Sequence, residues 1–429
     1  MSEMFRSLRV RNYRLFASGQ LVSLAGTWMQ RTAQDWLVLR LSHNSGAAIG
    51  ITTGLQFLPL LLFGLYGGVI ADRFPKRKLL VGTQSFMALC ALALGILDAS
   101  GQVTLYEVYV LAFLLGVGTA VDNPVRQAFV SEMVGVRDVA NAISLNSATF
   151  NTSRIIGPAL AGVLIESVGT SVLFFCNAVS FFAVIAGLLL MREEELHSRA
   201  RLKRAKGQLR EGLRYVWSRK ELLVPIFLVG VVGTFGLNFQ VTLALMDKTV
   251  FHRGAAGYGF LTAIIALGSL AGALAGARRE RPKIATLLAT VVAFGAAEIA
   301  CGLMPSYPLL ALLLLPSGFF VISFSTAANS FVQLNSDGVM RGRVMGVYML
   351  VFLGGTPLGA PVIGWLSQSY GARWGLIIGG LFSLGAGALA AGAIALHRRD
   401  KFGRARKSRA ATARDAGNLP APVPQDVQP

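Results

Sequence analysis

The chain has 429 residues, 54% hydrophobic and 14% charged, against about 25% charged in an ordinary soluble domain. So much apolar surface has no place in water, which excludes a soluble globular protein and assigns the chain to a bilayer. Its net charge of +19 would suit nucleic acid, but 34 of the 40 Lys and Arg fall in the N-terminus, in alternate loops and in the C-terminal tail, so the charge is a topology signal instead.

Apolar windows long enough to span a membrane occur at 15–39, 48–71, 79–98, 106–128, 140–165 and 170–191, then at 222–246, 256–277, 284–303, 308–332, 343–367 and 373–396. This pattern predicts an all-α polytopic membrane protein with twelve transmembrane helices: a six-helix half (1–191), a basic cytoplasmic linker (192–221), a second six-helix half (222–397) and a disordered tail (398–429). Four cations (Arg40, Lys248, Arg253, Arg373) fall on the side opposite the basic loops, and two (Arg31, Arg154) fall inside apolar segments. The asymmetry predicts both termini in the cytoplasm. The first apolar stretch lacks a small-residue cleavage site and reads as helix 1 rather than a signal peptide.

Intramembrane charges are costly and mark function by default. In helix 1, Arg31 and Asp35 lie four residues apart on one face and can neutralise each other. Asp35 is either a proton-responsive carboxylate, alternating between a paired, ionised form and a desolvated, protonated one, or a static partner of Arg31.

Helix 2 ends in GGVIADRFPKRK (67–78), where Gly68 allows close helix approach and Lys76, Arg77 and Lys78 hold the loop to anionic headgroups. Helix 4 carries Asp122 and Arg126 at the same four-residue spacing, with Pro124 between them to kink it. Pairing with the helix 2 loop or with the base of helix 11 is the favoured role for these two. Arg154 in helix 5 has no acid within its own turn, so it binds an anionic group or pairs with Asp122 or Asp35 on another helix. One turn on, Gly157, Pro158 and Gly162 give a kinked helix with a smooth face, suited to a hinge.

The linker holds ten Lys/Arg against five Glu. Within it, 201–217 reads as an amphipathic helix lying on the cytoplasmic leaflet, with Leu202, Leu209, Leu213 and Trp217 on one side. The halves repeat: a shift of 202 lays Gly359, Gly364 and Gly371 on Gly157, Gly162 and Gly169, and a shift of 204 lays Gly272, Gly276 and Arg281 on Gly68, Asp72 and Arg77. The second copy of the helix 2 loop thus has Gly276 where the first has Asp72. Glu298 is the only acid inside the second half away from helix ends, which makes it a second proton candidate.

The pattern G-x-x-x-D-R-x-x-K-R-K, here Gly68, Asp72, Arg73, Lys76, Arg77 and Lys78, resembles the signature between helices 2 and 3 of the major facilitator superfamily, with Pro75 where that family often has Gly. The resemblance implies a gating latch whose aspartate engages across the cytoplasmic gap in the outward-facing state. The stretches SLAGTWMQRTAQDWLVLRLS, DNPVRQAFVSEMV and NAISLNSATFNTSRIIGPALAG are similar to the exporter branch that includes enterobactin-exporter and macrolide-efflux types, over residues 5–400. Gly157, Pro158 and Gly162 resemble that superfamily's antiporter feature, although Ala161 replaces one glycine. The Arg of the multidrug-antiporter signature is missing, since Ala112 stands at its position.

These features imply an exporter of a bulky amphipathic compound, a siderophore or a drug, exchanging it for protons as a monomer in the bacterial inner membrane. An importer or a lipid flippase of the same fold is the alternative. A scaffold would not need charges at Asp35, Arg154 and Glu298. Four scattered histidines and three isolated cysteines offer no metal or cofactor set. The absence of a G-x-x-x-x-G-K-[ST] loop argues against a nucleotide-driven pump, and no nucleic-acid partner is expected.

Overall fold

A computed structural model describes residues 3–197, 208–278 and 281–417. The first half comprises α1 (Arg11–Leu41), α2 (Gly46–Arg73), α3 (Lys76–Ala99), α4 (Leu105–Val168) and α5 (Thr170–Leu189). Helix α4 makes two crossings, because Gly135 takes a positive φ (68°) that breaks the helical path between them, a conformation glycine adopts without a Cβ penalty. Ten described helices are long and apolar enough to cross a membrane, α4 counting as one of them. Helix α1 is not among the ten, since Arg31, Asp35 and three glutamines dilute its apolar run, yet it packs inside the bundle against α4 and α5.

The second half begins with a crossing in pieces. Helix α7 (Lys220–Val231) runs into a π-turn at Val232–Gly236, breaks, resumes as α8 (Phe239–Met246) and ends in a second π-turn at Asp247–Phe251. Helices α9 (Gly254–Ala277), α10 (Ile284–Leu303) and α11 (Tyr307–Leu334) follow. Next come α12 (Arg341–Gly354) and α13 (Thr356–Tyr370), two parts of one crossing, and then α14 (Ala372–Gly417). The turn glycines Gly101, Gly169 and Gly371 all have positive φ, and the last two are repeat-related.

In the tail, expected to be disordered, α14 runs on to Gly417; Ala and Arg, both strong helix formers, fill much of that stretch, and 418–429 lie outside the described residues. In the linker, α6 (Gln208–Ser218) docks on protein: Glu211 pairs with Arg343 (2.5 Å), Tyr215 donates to Asp337 (2.8 Å), and Val216 is buried. Leu213 and Trp217, the described residues of the expected lipid face, are both exposed, so the helix docks through its opposite side and leaves that face free; Leu202 and the Leu209 side chain lie outside the described residues.

The halves meet along two seams, α2 with α13 and α4 with α9. Both seams are built on backbone contact: a Cβ on Gly46 would sit 2.4 Å from the Gly364 carbonyl oxygen, and one on Gly364 would sit 2.2 Å from that of Gly46. Among the described residues, every hydrogen bond between the halves lies toward the side opposite the basic loops. These are Ser45 and Ala47 N to Gln368, Ala256 N to Glu166, and Tyr258 to Asp35. The molecule is therefore bolted at one end and, among the described residues, has no such bond between the halves at the basic end.

Candidate functional site

Helix α1 buries Gln20, Gln30, Gln34 and Asp35; α4 and α5 supply partners for the first two, Arg126 donating to Gln20 and Asn177 to Gln30. Asp35, 5% exposed, accepts a hydrogen bond from the Tyr258 hydroxyl of α9 at 2.7 Å. It makes no ion pair with Arg31 within 4 Å among the described residues, so the static partnership is not the arrangement found, although its charge still acts on Arg31. Instead, the acid is an interhalf bolt. Beside it Glu166 caps the start of α9 through Ala256 N (3.0 Å), a favourable place for a carboxylate, and Lys248 lies 4.7 Å over the Trp36 ring.

Asp247, fully buried in the second π-turn, has both carboxylate oxygens without hydrogen-bond partners and sits near Glu166. Gly257 makes room for it, since a Cβ there would lie 2.2 Å from Asp247 Oδ1. Sequence reasoning missed Asp247, Glu166 and Tyr258. The only signal was an acid at the end of a crossing, and π-turns, which often mark functional sites, are not legible from spacing.

A cavity of ≈ 130 Å³ opens at mid-depth in the first half, lined by Trp28, Arg31, Gln56, Asp122, Arg126 and Phe150 among others. Arg31 rests 4.9 Å from the Trp28 ring centroid and 5.7 Å from that of Phe57. Arg154 approaches the same indole at 5.9 Å, close enough for the two guanidinium groups to repel each other. Trp28, which also packs edge-on against Phe150 at 5.7 Å, was another residue the sequence did not single out.

At the basic end of the cavity, Asp122 accepts from Thr83 and Gln84 at 2.8 Å each and pairs with Arg126, which also donates to Gln20 at 2.6 Å. The i, i+4 pair is present. Its described partners are on α1 and α3, not at the base of α12, because α4 packs against those helices. Glu298 is brought elsewhere: it is 2% exposed, lies against Gly379 of α14, and has Oε2 unpartnered. Its helix, α10, packs on α11 and α14 rather than on either seam.

Where α2 leads into α3, Lys76 pairs with Glu132 (2.6 Å), and Arg77 pairs with Glu193 and donates to the carbonyls of Leu188 (2.6 Å) and Leu189 (2.9 Å). Arg73 and Lys78 are exposed, while the side chains at Gly68 and Asp72 lie outside the described residues. Helix 5 uses its small face for packing. Gly157 meets Trp28 and Ala25 of α1, and Gly162 meets Ala255 of α9, where a Cβ would sit 2.6 Å from the carbonyl oxygen.

The transmembrane secretion effector family matches residues 2–415. The chain is 29% identical over 371 residues to the multidrug efflux pump Tap of Mycolicibacterium fortuitum, covering 83% of this chain and 89% of that one. It is 25% identical over 400 residues to the enterobactin exporter EntS of Escherichia coli, covering 87% and 91%. Among solved structures, a bacterial homologue of the human lysosomal transporter Spinster, inward-facing and unoccupied, superposes with a TM-score of 0.72 at 14% identity, covering 88% of this chain and 96% of that one.

Proposed function

The chain belongs to the transmembrane secretion effector family of major facilitator transporters, and from that premise we propose that it exports a bulky amphipathic compound, a drug or a siderophore, in exchange for protons. The observation that carries this reading is the Tyr258–Asp35 hydrogen bond, which joins a buried carboxylate to the opposite half at the closed end of the molecule. A conformational change that opens that end must break the bond and expose Asp35 to the outer solution. There the carboxylate takes up a proton as cargo leaves. Return of the halves carries the proton inward, and its release restores the ionised acid that accepts from Tyr258.

Rocking of the halves about the glycine seams supplies the alternation. With both termini in the cytoplasm and the basic loops inside, the end that lacks interhalf hydrogen bonds among the described residues faces the cytoplasm, from which an exporter loads. Asp35 is preferred to Glu298 as the proton carrier because Glu298 sits on α10, away from both seams. The latch residues Gly68, Asp72, Arg73, Arg77 and Lys78 serve the opposite closure, and the transporter works as a monomer in the inner membrane.

The test is uptake of drugs and of siderophores such as enterobactin into inverted vesicles, with and without an imposed pH gradient. Cargo concentrated only when the gradient is present supports the reading. Concentration without any gradient dependence overturns the proton coupling, and net movement in the opposite sense overturns export.

A further inference from the structure

Resting on the export reading, we propose that Arg31 and Arg154, flanking Trp28, form a receptor for an anionic group on the cargo: a carboxylate, a phosphate or an acidic phenol. The two cations converge on one indole, at 4.9 and 5.9 Å, and neither makes a hydrogen bond or ion pair to another side chain among the described residues; Arg31 Nε is buried without a partner. Two like charges held together at mid-membrane are costly unless an anion joins them. The nearby acid is already engaged: Asp35 accepts from Tyr258. One guest anion and ionised Asp35 together balance both guanidinium groups, so the loaded site is neutral when it passes through an occluded state.

The chemistry of the walls narrows the guest. Guanidinium forks match the paired oxygens of carboxylate and phosphate, while Trp28 and Phe150 of the lining favour a flat or aromatic body beside the charge. At ≈ 130 Å³ the cavity is smaller than the roughly 300 Å³ at which drug-sized pockets begin. It therefore holds one end of the cargo, and the apolar remainder extends into the space between the halves. The other charged groups of the cavity lining, Asp122 and Arg126, are paired with each other, which leaves Arg31 in the lining, with Arg154 beside it on the Trp28 indole, to meet the anion.

The experiment uses the full-length protein in lipid nanodiscs and three aromatic probes of equal size: 1-naphthoate, neutral 1-naphthamide and cationic 1-naphthylmethylamine. Binding is measured at equilibrium with no gradient. Naphthoate is expected to bind about ten-fold more tightly than the amide, and the cation more weakly than both. Arg31→Gln and Arg154→Gln each remove most of the naphthoate preference and leave amide affinity within about two-fold, whereas Arg31→Lys keeps part of it.

Equal binding of the three probes by the wild type overturns the proposal, and that measurement does not depend on how any variant folds. Loss of affinity for all three probes in a variant whose thermal unfolding matches the wild type overturns it as well. Because no gradient is present, neither result bears on export, which the vesicle assay decides.

Discussion

The two halves share a repeat and a fold yet differ in where they depart from a plain apolar bundle. The first half keeps each crossing a continuous helix and fills them with charge: Arg31, Asp35, Asp122, Arg126 and Arg154. The second half has few intramembrane charges and breaks its backbone instead, with two π-turns in its first crossing and a divided crossing at α12 and α13. Its counterpart in the first half, α1, is an uninterrupted helix of 31 residues. Charge costs least where several helices supply partners, and a broken helix deforms most readily. The difference suggests that one repeat holds the chemistry while the other supplies the compliance.

The most severe test of this division sets two acids against each other. Asp35→Asn is expected to lower pH-gradient-driven transport by about a hundred-fold or more, with cargo binding and downhill exchange retained, because it removes the titrating group. Glu298→Gln should stay within about three-fold of wild type, since it alters packing between α10 and α14 only. Equal losses in reconstituted vesicles would erase the contrast between the halves.

The seam is the next place to press. Gly46→Ala drives a methyl into the Gly364 carbonyl and should shift the balance by about ten-fold toward the state open on the Gly46 side, a population change worth about 1.4 kcal/mol. Spin labels at Ser100 and Ser306, one in each half, would read this as a longer distance between the outer loops. An unchanged distribution would show that the seam yields elsewhere.

Smaller effects sharpen the asymmetry of the two latch copies. Asp72→Asn should slow exchange several-fold without loss of membrane insertion, since it removes a contact made in one state only. Gly276→Asp, which restores the acid to the second copy, should change exchange by less than about two-fold; a larger response would mean that the second copy still gates. Tyr258→Phe is a small change of the same order. A single intramembrane hydrogen bond is worth about 0.6 kcal/mol on average, so the gate population should move by about three-fold, measured with the same spin labels.

Much of the site was legible because its residues break a local rule. Arg31, Asp35, Asp122, Arg126 and Arg154 are charges in apolar windows, and each has a role at or near the cavity or seam. The Asp122–Arg126 pair followed from a spacing of four. The partner of Asp35 did not, because four-residue spacing favours Arg31, whereas packing delivers a tyrosine 223 residues away. Glu298 met the same rule as Asp35, and the fold carried it to α14 instead. Asp247 and Trp28 went unnoticed because an acid at a helix end and an aromatic in a membrane helix are both ordinary until their neighbours are known.

The sequence by itself determined the bilayer, the crossings, the repeat and the glycines of the outer turns. Those properties depend on hydropathy, period and backbone freedom, which act within a few residues of one another. Only the tertiary structure decided which end is bolted, which acid bolts it, where two arginines meet over one indole, and that α6 rests on α12. Such facts arise from how whole helices pack across a seam, and no window along the chain contains both sides of that contact.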